Sequence, residues 1–547
     1  MRGQFLFLWS LTFLVVFGQQ QGAQQPQAEA DQAVTRVPPV RPFVLRPRIG
    51  VITDKELTLQ DALAMALANN KDIDGSRIDR DKAITSVLGA KGVFDPKIGG
   101  TASFQKTVTP VASSLGGSTT GAVTSRNSLA DPTFSGSLPW LGGSYQMDLS
   151  SSRTTTNNSF TQLNPQYPTS LNVSLTQPLW RNLRYDDNRH RLEAAKKNVN
   201  LTDEQFRQRV MQIVTQTEQA YWDLAYAYGN LEVQLEAVRL GRDQDESNRR
   251  QQVQGLLAPI DVVAAQRQLA TFEENVFSAQ EALTAAENTL KTLILQDRTD
   301  PIWSSALIPI TPVNVSPPIT PLQDAVREGL DNRPELAQVQ ISREINETDN
   351  RFYREQTKPQ VDLVATHTNA GLAGIQLPAT TNPFGGTNAS LPAFLVGGYG
   401  QSLSNLFDNS FPTTLVQLRV SLPLRNRTAE ANLNNSLAET RRLRNQRLQT
   451  EQTIEASVRN AMQSVDSAKA RLESSRVARE SAEEQYQSEQ RQFRAGTSTL
   501  FLVQQRQTDM ITARSQERRA EADLGKAIAT YGLATGTILQ THNIQLR

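Results

Sequence analysis

Two long stretches of the chain carry apolar residues mostly three or four positions apart, a spacing that predicts helices. Neither stretch, 186–254 or 427–495, contains a proline. The apolar positions form seams of the kind found in coiled coils. In the first stretch they include Phe206, Val210, Ile213, Leu224, Leu231 and Val238, and in the second Ile454, Val458, Met462, Val465, Ala468 and Leu472. We therefore expect two very long helices.

Each predicted long helix ends at a glycine, Gly255 or Gly496, and a shorter returning helix follows at about 259–297 or 499–535. An outgoing helix of about 65 residues spans about 100 Å, whereas a returning helix of about 40 residues covers about 60 Å. Each half of the chain offers a further helix of nearly the missing length, at about 71–93 and 334–357. We expect this helix to stack end to end on the returning one, so that each half forms an antiparallel column.

Four segments alternate apolar and polar residues, which predicts strands with one apolar and one polar face. From Leu171 to Thr176, for example, Leu, Val and Leu alternate with Asn, Ser and Thr. A further hairpin between 120 and 155 is an open alternative, because Tyr145–Leu149 also alternates. The four strands are expected at about 97–108, 168–180, 359–371 and 412–424.

The same order of elements occurs twice, so the sequence predicts an internal duplication. Both halves open on Leu-Gln-Asp-Ala, at Leu59–Ala62 and at Leu322–Ala325. We expect a first repeat at 54–298, a Pro-rich linker at 299–319, a second repeat at 320–536 and a C-terminal tail at 537–547.

The N-terminus carries a short apolar run, Phe5–Phe17, between a positive charge and a glutamine-rich stretch. This pattern is typical of a secretory signal peptide, here 1–23. An uncleaved membrane anchor is the alternative, although the run is short for a spanning helix. Residues 24–53 are rich in Gln and Pro and are expected to form an extended linker. The chain is therefore predicted to be exported.

Composition narrows the chemistry that we expect. Only 38% of the residues are hydrophobic, the formal net charge is +1, and cysteine is absent. Disulfides, thiolate metal sites and Cys-anchored lipid are therefore excluded, and a balanced charge offers no global attraction for nucleic acid. The three histidines are far apart in sequence, and we find no phosphate-binding loop or nucleophile motif. We predict no catalytic site, no metal site and no cofactor.

The four predicted strands cannot form a membrane barrel within one chain. The smallest membrane barrels need about eight strands, and lipid does not permit the open edges of a four-stranded sheet. Two copies would supply eight strands and three would supply twelve, so a membrane sheet requires an oligomer. Trp140, Trp180 and Tyr167 are candidates for an aromatic belt at the membrane interface, with ordinary packing as the alternative.

Several segments resemble the TolC-type outer membrane efflux family. They are the steps from strand to helix at Thr176–Trp180 and Ser421–Leu424, the break at Asn332–Leu336, both Leu-Gln-Asp-Ala starts and both glycine turns. The resemblance implies a mainly α fold with a β-barrel portion. In that fold, long antiparallel coiled-coil helices of a homotrimer form an α-barrel. Four strands per subunit contribute to a 12-stranded outer-membrane β-barrel.

The same resemblance implies a channel and not an enzyme: the exit duct of a tripartite efflux or type I secretion system. The duct would lie in the outer membrane of a Gram-negative type envelope and extend into the periplasm. Its expected partners are further copies of the chain, a periplasmic adaptor, an inner-membrane pump or ABC transporter, and outer-membrane lipid, but not nucleic acid. The alternative is a non-channel coiled-coil envelope scaffold or adhesin, which leaves the strand alternation unexplained.

The resemblance also points to particular residues. The adaptor-docking tip would comprise Gly255, Leu256, Gly496 and Thr497. The periplasmic gate would comprise Asp261, Phe493, Leu502 and Gln505, and the barrel-to-tunnel junction Pro178 and Pro423.

Two features depart from the family pattern, since Leu502 and Gln505 replace an acidic pair and Ser498 replaces an Arg partner of the tip acid. A simpler hypothesis also holds for several of these residues. Glycine suits a helix C-cap with positive φ, and an acid such as Asp261 suits the first turn of a helix.

Overall fold

The computed structural model describes most of the chain, namely residues 42–112, 116–118, 120–313, 320–378 and 391–546. The predicted signal peptide, most of the predicted 24–53 linker and part of the 299–319 linker lie outside these residues. The chain divides into two compact units. The smaller unit contains Ala237–Glu274 and the described residues before Leu45, and the larger contains Leu45–Glu236 and the residues from Asn275 onward.

Helices account for most of the described residues, and the two longest have 67 and 68 residues. None of the described helices combines the length and apolar character needed to cross a membrane. The helices are α1 (Leu59–Asn69), α2 (Lys71–Lys91), α3 (Asp187–Val253), α4 (Pro259–Ile294), α5 (Leu322–Asn332), α6 (Pro334–Gln356), α7 (Tyr399–Phe407), α8 (Arg427–Arg494), α9 (Leu500–Thr535) and α10 (Ile538–Thr541).

The strands form two sheets in the larger unit. A short parallel pair joins β1 (Thr53–Leu57) to β6 (Ser305–Pro309). The main sheet is antiparallel throughout, in the order β2, β3, β4, β5, β7, β8. Its strands are β2 (Lys97–Pro110), β3 (Ala122–Ser137), β4 (Ser144–Thr156), β5 (Leu163–Pro178), β7 (Gln360–Gln376) and β8 (Phe411–Ser421).

The prediction of four strands per chain is wrong, because the described part of the main sheet has six. The additional hairpin, β3 and β4, lies between β2 and β5 in the region left open at 120–155. The signal in β3 is weak because Ala130, Pro132 and Gly136 occupy positions where Val or Ile would announce a strand. Pairing with β2 and β4 supplies the stabilisation that the local sequence of β3 does not.

The two faces of the main sheet differ in polarity. Cross-strand partners point to the same face, so the register assigns each side chain. On one face, the half of each strand nearer the long helices is apolar, and we call this region the apolar stripe. It contains Ile98, Ala102, Phe104, Ala130, Pro132, Phe134, Tyr145, Met147, Leu149, Leu171, Val173, Leu175, Val361, Leu363, Ala365, Val416, Leu418 and Val420. The other face is dominated by Ser, Thr, Asn, Gln and Asp.

In the second repeat, α6 and α9 lie along different parts of α8, as the helix lengths predict. The salt bridge between Arg479 of α8 and Glu517 of α9, at 2.6 Å, links the part near the turn. Towards the sheet, Asn346 of α6 donates to the backbone oxygen of Ser436 at 3.2 Å. The end-to-end arrangement along α8 is thus confirmed, and α5 packs against α8 between the two.

Buried apolar residues in the larger unit form clusters between helices. The largest joins α1, α3 and the end of α4, with Tyr221, Leu224 and Leu290 fully buried. Further clusters lie where α8 meets α5 and α9. This distribution explains how a chain with 38% hydrophobic residues folds: the apolar residues occupy helix seams and one face of a sheet.

Candidate functional site: the helix turns and the sheet junction

The smaller unit contains the turn after α3. Gly255 has φ +75°, which glycine adopts without the steric cost that a side chain would add. Its amide donates to the Gln252 carbonyl oxygen at 2.9 Å, and the Leu256 amide donates to Gln251 at 2.9 Å. These two bonds are the Schellman pattern of helix ends. The prediction of a positive-φ cap at this glycine is confirmed.

The larger unit contains the equivalent turn after α8. Gly496 has φ +77°, its amide donates to Phe493 at 3.1 Å, and the Thr497 amide donates to Gln492 at 3.0 Å. Ser498, which stands where the resemblance expects an arginine, donates a hydrogen bond to Glu489. Both turns therefore use one local geometry, as the internal duplication requires.

Apolar side chains near each turn are exposed. In the smaller unit Leu256 is 72% exposed, and Val253 and Ile260 are also exposed. In the larger unit Phe501 is 71% exposed, beside the exposed Leu502. Among the described residues, no atom would lie within 4 Å of a Cβ at Gly255 or at Gly496.

The residues predicted for the gate are distributed over both units. Asp261 lies in the first turn of α4, two residues after Pro259, where its charge is favoured by the helix dipole. In the larger unit, Phe493 is half-buried at the end of α8, and Leu502 and Gln505 are exposed on α9.

Asp509 is an acid near the predicted gate that the sequence analysis missed. Gln505 donates to one carboxylate oxygen of Asp509 at 3.0 Å, and Arg506 lies 3.4 Å from the other. The position is one helical turn after Gln505, so the i, i+4 spacing could have identified it. The helix therefore carries an acid on the same side, displaced by one turn from the expected pair.

The two prolines of the predicted junction lie in different environments. Pro178 is the last residue of β5 and is buried. The amide of the next residue, Leu179, donates to the Val361 carbonyl oxygen at 2.7 Å. Pro423 follows β8 and is exposed. The difference arises because β5 is central in the sheet whereas β8 is at its edge.

A polar cluster fixes the step from β5 to α3. Asp186 caps α3, with Oδ1 accepting from the Arg189 amide at 3.0 Å and from its side chain at 2.7 Å. Tyr185 donates to Glu193 at 2.8 Å. Burial, together with the hydrogen bond to Glu193, raises the pKa of Tyr185 above its ordinary value. His190 lies 2.7 Å from an Asp349 oxygen, which ties α3 to α6.

The described residues contain no group of three or more His, Cys, Asp or Glu side chains placed to hold a metal ion. The contacts at the turns and the junction are those of helix capping and packing.

Known proteins match this chain both in sequence family and in fold. The model of the outer membrane efflux protein family matches residues 121–294 and 325–537, more than half of the chain. The sequence matches no curated protein significantly.

Solved structures of outer-membrane proteins share the fold. The CmeC outer membrane channel of Campylobacter jejuni has a TM-score of 0.63 at 14% identity, over 92% of this chain and 94% of that one. The outer membrane protein VceC of Vibrio cholerae has a TM-score of 0.59 at 15% identity, over 87% and 96%. The open MtrE outer membrane channel of Neisseria gonorrhoeae has a TM-score of 0.58 at 13% identity, over 88% and 89%.

Proposed function

The chain belongs to the outer membrane efflux protein family, and from this premise we propose that it is the exit duct of a tripartite efflux or type I secretion system. The family consists of outer-membrane channels rather than enzymes, so the protein is located in the outer membrane, with a periplasmic extension. The inner-membrane pump or ABC transporter would supply both the substrate and the energy.

One observation carries the proposal: both edges of the main sheet lack a partner within the described chain. Every residue of β2 is exposed, and nearly every residue of β8 is too. Lipid does not tolerate open strand edges. The two edge strands run in opposite directions, so β2 of one copy can pair antiparallel with β8 of the next. Such a head-to-tail contact closes into a ring.

The strand count changes the size of the proposed barrel. With six strands per chain, the homotrimer that the family resemblance implies would contribute eighteen strands, not twelve. Barrel diameter grows roughly in proportion to strand number. The polar face, where Asn172 donates to Asp148 at 3.3 Å and Thr368 donates to Asn172 at 3.0 Å, would then line a wider aqueous lumen.

The helices adjoining the two edge strands also expose apolar residues. On α2, which precedes β2, Ile84 and Leu88 are exposed, and on α8, which follows β8, Leu437 and Leu448 are exposed. Apolar residues on a narrow stripe of a helix favour packing against another helix. Contact between α2 of one copy and α8 of the next would continue the strand interface into an α-barrel.

The two turns are the proposed docking tip for the periplasmic adaptor. Exposed Leu256 and Phe501 provide apolar surface, and the capped glycines fix the backbone beside Leu256 and Thr497. We place the gate at Asp261, Phe493, Leu502 and Gln505, as the resemblance implies. Because Leu502 and Gln505 are uncharged, this gate would not form the acidic ring of the family pattern.

The tip can be tested through the backbone of Gly496. Replacement by Val forces a β-branched residue into positive φ, which costs about 1–3 kcal/mol locally. Gly496→Asn is the matched control, because Asn tolerates this conformation. We expect the Val variant to lose substrate export and adaptor crosslinking while oligomer assembly is retained, and the Asn variant to keep all three. Equal loss of assembly and export in the Val variant would assign the glycine a purely structural role.

The barrel can be tested with engineered cysteines, because the native chain has none. Single cysteines scanned along β2 and combined with one in β8 should give disulfide-linked ladders that end at three chains. Conductance in planar bilayers separates the channel from the scaffold alternative. Absence of conductance after disruption of the tip, with no ladder at any register, would favour the scaffold.

A further inference from the structure

Apart from Lys97 at the start of β2, the charged residues in the first four strands of the main sheet are segregated by face. Between residues 98 and 180 there are five charged side chains, of which three are basic and two acidic. The register places Lys106 opposite Arg126, and Arg153 one diagonal step from Arg126, opposite Ser128. These three, the basic cluster, share the face of the apolar stripe. Both acids of this region, Asp131 and Asp148, lie on the polar face.

The basic cluster begins where the apolar stripe ends. On β2, Phe104 is followed on the same face by Lys106. On β4, Leu149 is followed by Ser151 and then Arg153. The strands connect to the long helices at the end that carries the apolar stripe. The basic cluster therefore lies at the end of the sheet away from the helices. The inference rests on the proposed function, in which the helices extend into the periplasm, so that this end faces the outer leaflet of the membrane.

The arrangement is electrostatically unfavourable unless an anion is present. Like charges directly opposite each other in a sheet, such as Lys106 and Arg126, are destabilising. All three side chains are exposed, and within the described residues no carboxylate forms an ion pair with any of them. Arg presents a planar fork that matches phosphate oxygens, and long basic side chains reach from apolar surface to a polar boundary.

Helix α7 marks the same boundary independently. Its inward side carries two polar residues beside the fully buried Leu406: Ser402 Oγ and Thr169 Oγ1 are 2.9 Å apart, and Asn405 donates to the Leu372 carbonyl at 2.9 Å. Its outward side is aromatic, with Phe407 71% exposed and Tyr399 exposed. A helix with buried polar and exposed aromatic residues is inverted relative to a water-facing helix, as expected at a membrane interface.

The helix and the basic cluster lie close together on the same face of the sheet. Thr169, beneath α7, pairs with Ser151 of β4, which is two positions from Arg153. Gly371, on the other side of Thr169, allows the helix to approach, since a Cβ there would lie 2.2 Å from the Ser402 carbonyl oxygen. Two features with different chemistry, cationic and aromatic, therefore border the apolar stripe on the same side.

We propose that Lys106, Arg126 and Arg153 form a binding site for the phosphate groups of an anionic lipid in the outer leaflet of the outer membrane. The two Arg side chains hold phosphate oxygens through paired hydrogen bonds, and Lys106 adds a third positive charge. The acyl chains of the lipid lie on the apolar stripe below. The aromatic side of α7 occupies the adjoining interface.

The test uses the full chain in detergent micelles and diphosphoryl lipid A as the probe, with bound lipid counted by native mass spectrometry. The variant K106Q/R126Q/R153Q should bind about 100-fold more weakly, since each basic residue near an anionic surface contributes roughly a factor of five or more. The control K97Q/R181Q/R419Q removes three cations at or near the strand ends beside the helices. It should bind as the native chain does.

The source of the anion is separated by two further probes. Dephosphorylated lipid A should bind the native chain as weakly as the triple variant binds the phosphorylated form. Inorganic phosphate at millimolar concentration should not displace the lipid, because it cannot use the apolar stripe. Equal binding by the triple variant, equal loss in the control, or full displacement by inorganic phosphate would each overturn the proposal.

A single substitution serves as the control for misfolding of the triple variant. If the triple variant does not fold, R126Q alone should weaken binding several-fold, and R126K should restore part of it. Conductance of the folded variants should equal that of the native chain, because the cluster is on the face opposite the lumen. Loss of lipid binding with normal conductance thus separates this site from the proposed channel.

Discussion

Lys291 provides a sharp test of how the first repeat is held together. Its side chain is 1% exposed, and Nζ lies 2.6 Å from Oε1 of Glu287. Nζ also donates to the backbone oxygens of Trp303 at 3.0 Å and Ser305 at 2.6 Å. The other Glu287 oxygen accepts from Arg48 at 2.7 Å. One ammonium therefore joins α4 to the start of β6.

The substitution Glu287→Gln removes the countercharge while it keeps the shape of the side chain. Loss of one partner from a buried pair costs about 3–5 kcal/mol. An unfolding entropy of about 2.1 cal/mol/K per residue gives roughly 1 kcal/mol/K for a chain of this length, so the midpoint should fall by about 3–5 °C. Lys291→Met should cost less, about 1–3 kcal/mol, because Glu287 keeps its bond to Arg48 and mainly backbone carbonyls lose a donor.

The assay is thermal unfolding of the detergent-solubilised protein, followed by circular dichroism at a fixed heating rate. The control is Glu451→Gln, which removes a half-buried partner of the exposed Arg447 and should leave the midpoint within about 1 °C. The expected order of midpoints is native, then Lys291→Met, then Glu287→Gln. A Glu287→Gln midpoint equal to that of the control, or one above Lys291→Met, would refute the reasoning.

Three further outcomes can be measured in the same way. Gly525→Ala should lower the midpoint by about 1–3 °C through overpacking, since a Cβ would lie 2.6 Å from the ring of Trp222; a simultaneous Trp222→Leu should recover part of the loss. Burial raises the pKa of Glu335, but the hydrogen bond and charge of Arg333 outweigh it, so the net pKa is lowered. The ionised Glu335 carboxylate therefore stabilises the fold above a pH of about 4.3, and this contribution is lost on acidification. The difference in unfolding midpoint between the native chain and Glu335→Gln should therefore become smaller from pH 7 to pH 3. A gap that widens would contradict this sign. Asn70→Ala should cost about 1–2 kcal/mol, because it removes the cap of α2 and a hydrogen bond to the end of α4; unchanged amide exchange in the first turn of α2 would argue against it.

Local regularity accounts for what the sequence predicted well. The apolar seams that begin at Phe206 and at Ile454 repeat regularly along the chain. Their periodicity can therefore be recognised without knowing which helix packs against them. The glycines at the two turns were predictable for the same reason, since a Schellman cap involves only residues within one helical turn. Comparison of helix lengths also placed α6 and α9 along α8, because a fixed rise per residue converts sequence into distance.

Long-range pairing accounts for what the sequence did not predict. The strand β1 pairs with β6, whose partner residues lie 252 positions away, as for Thr53 and Ser305. The β3–β4 hairpin has weak alternation and is stabilised by its neighbours on both sides. Helix α7 lies within a Gly-rich stretch with a single charged residue, Asp408, and its polar residues bond to the backbone of β5 and β7.

The sequence by itself therefore determined the long helices, the glycine caps at their turns, the duplication and the presence of two-faced strands, because each depends on contacts between near neighbours. Only the tertiary structure decided the number of strands, the burial of Lys291 and the placement of Lys106, Arg126 and Arg153 on one face. Those features depend on register. A shift of one residue in β3 or β4 would turn the same arginines toward the opposite face.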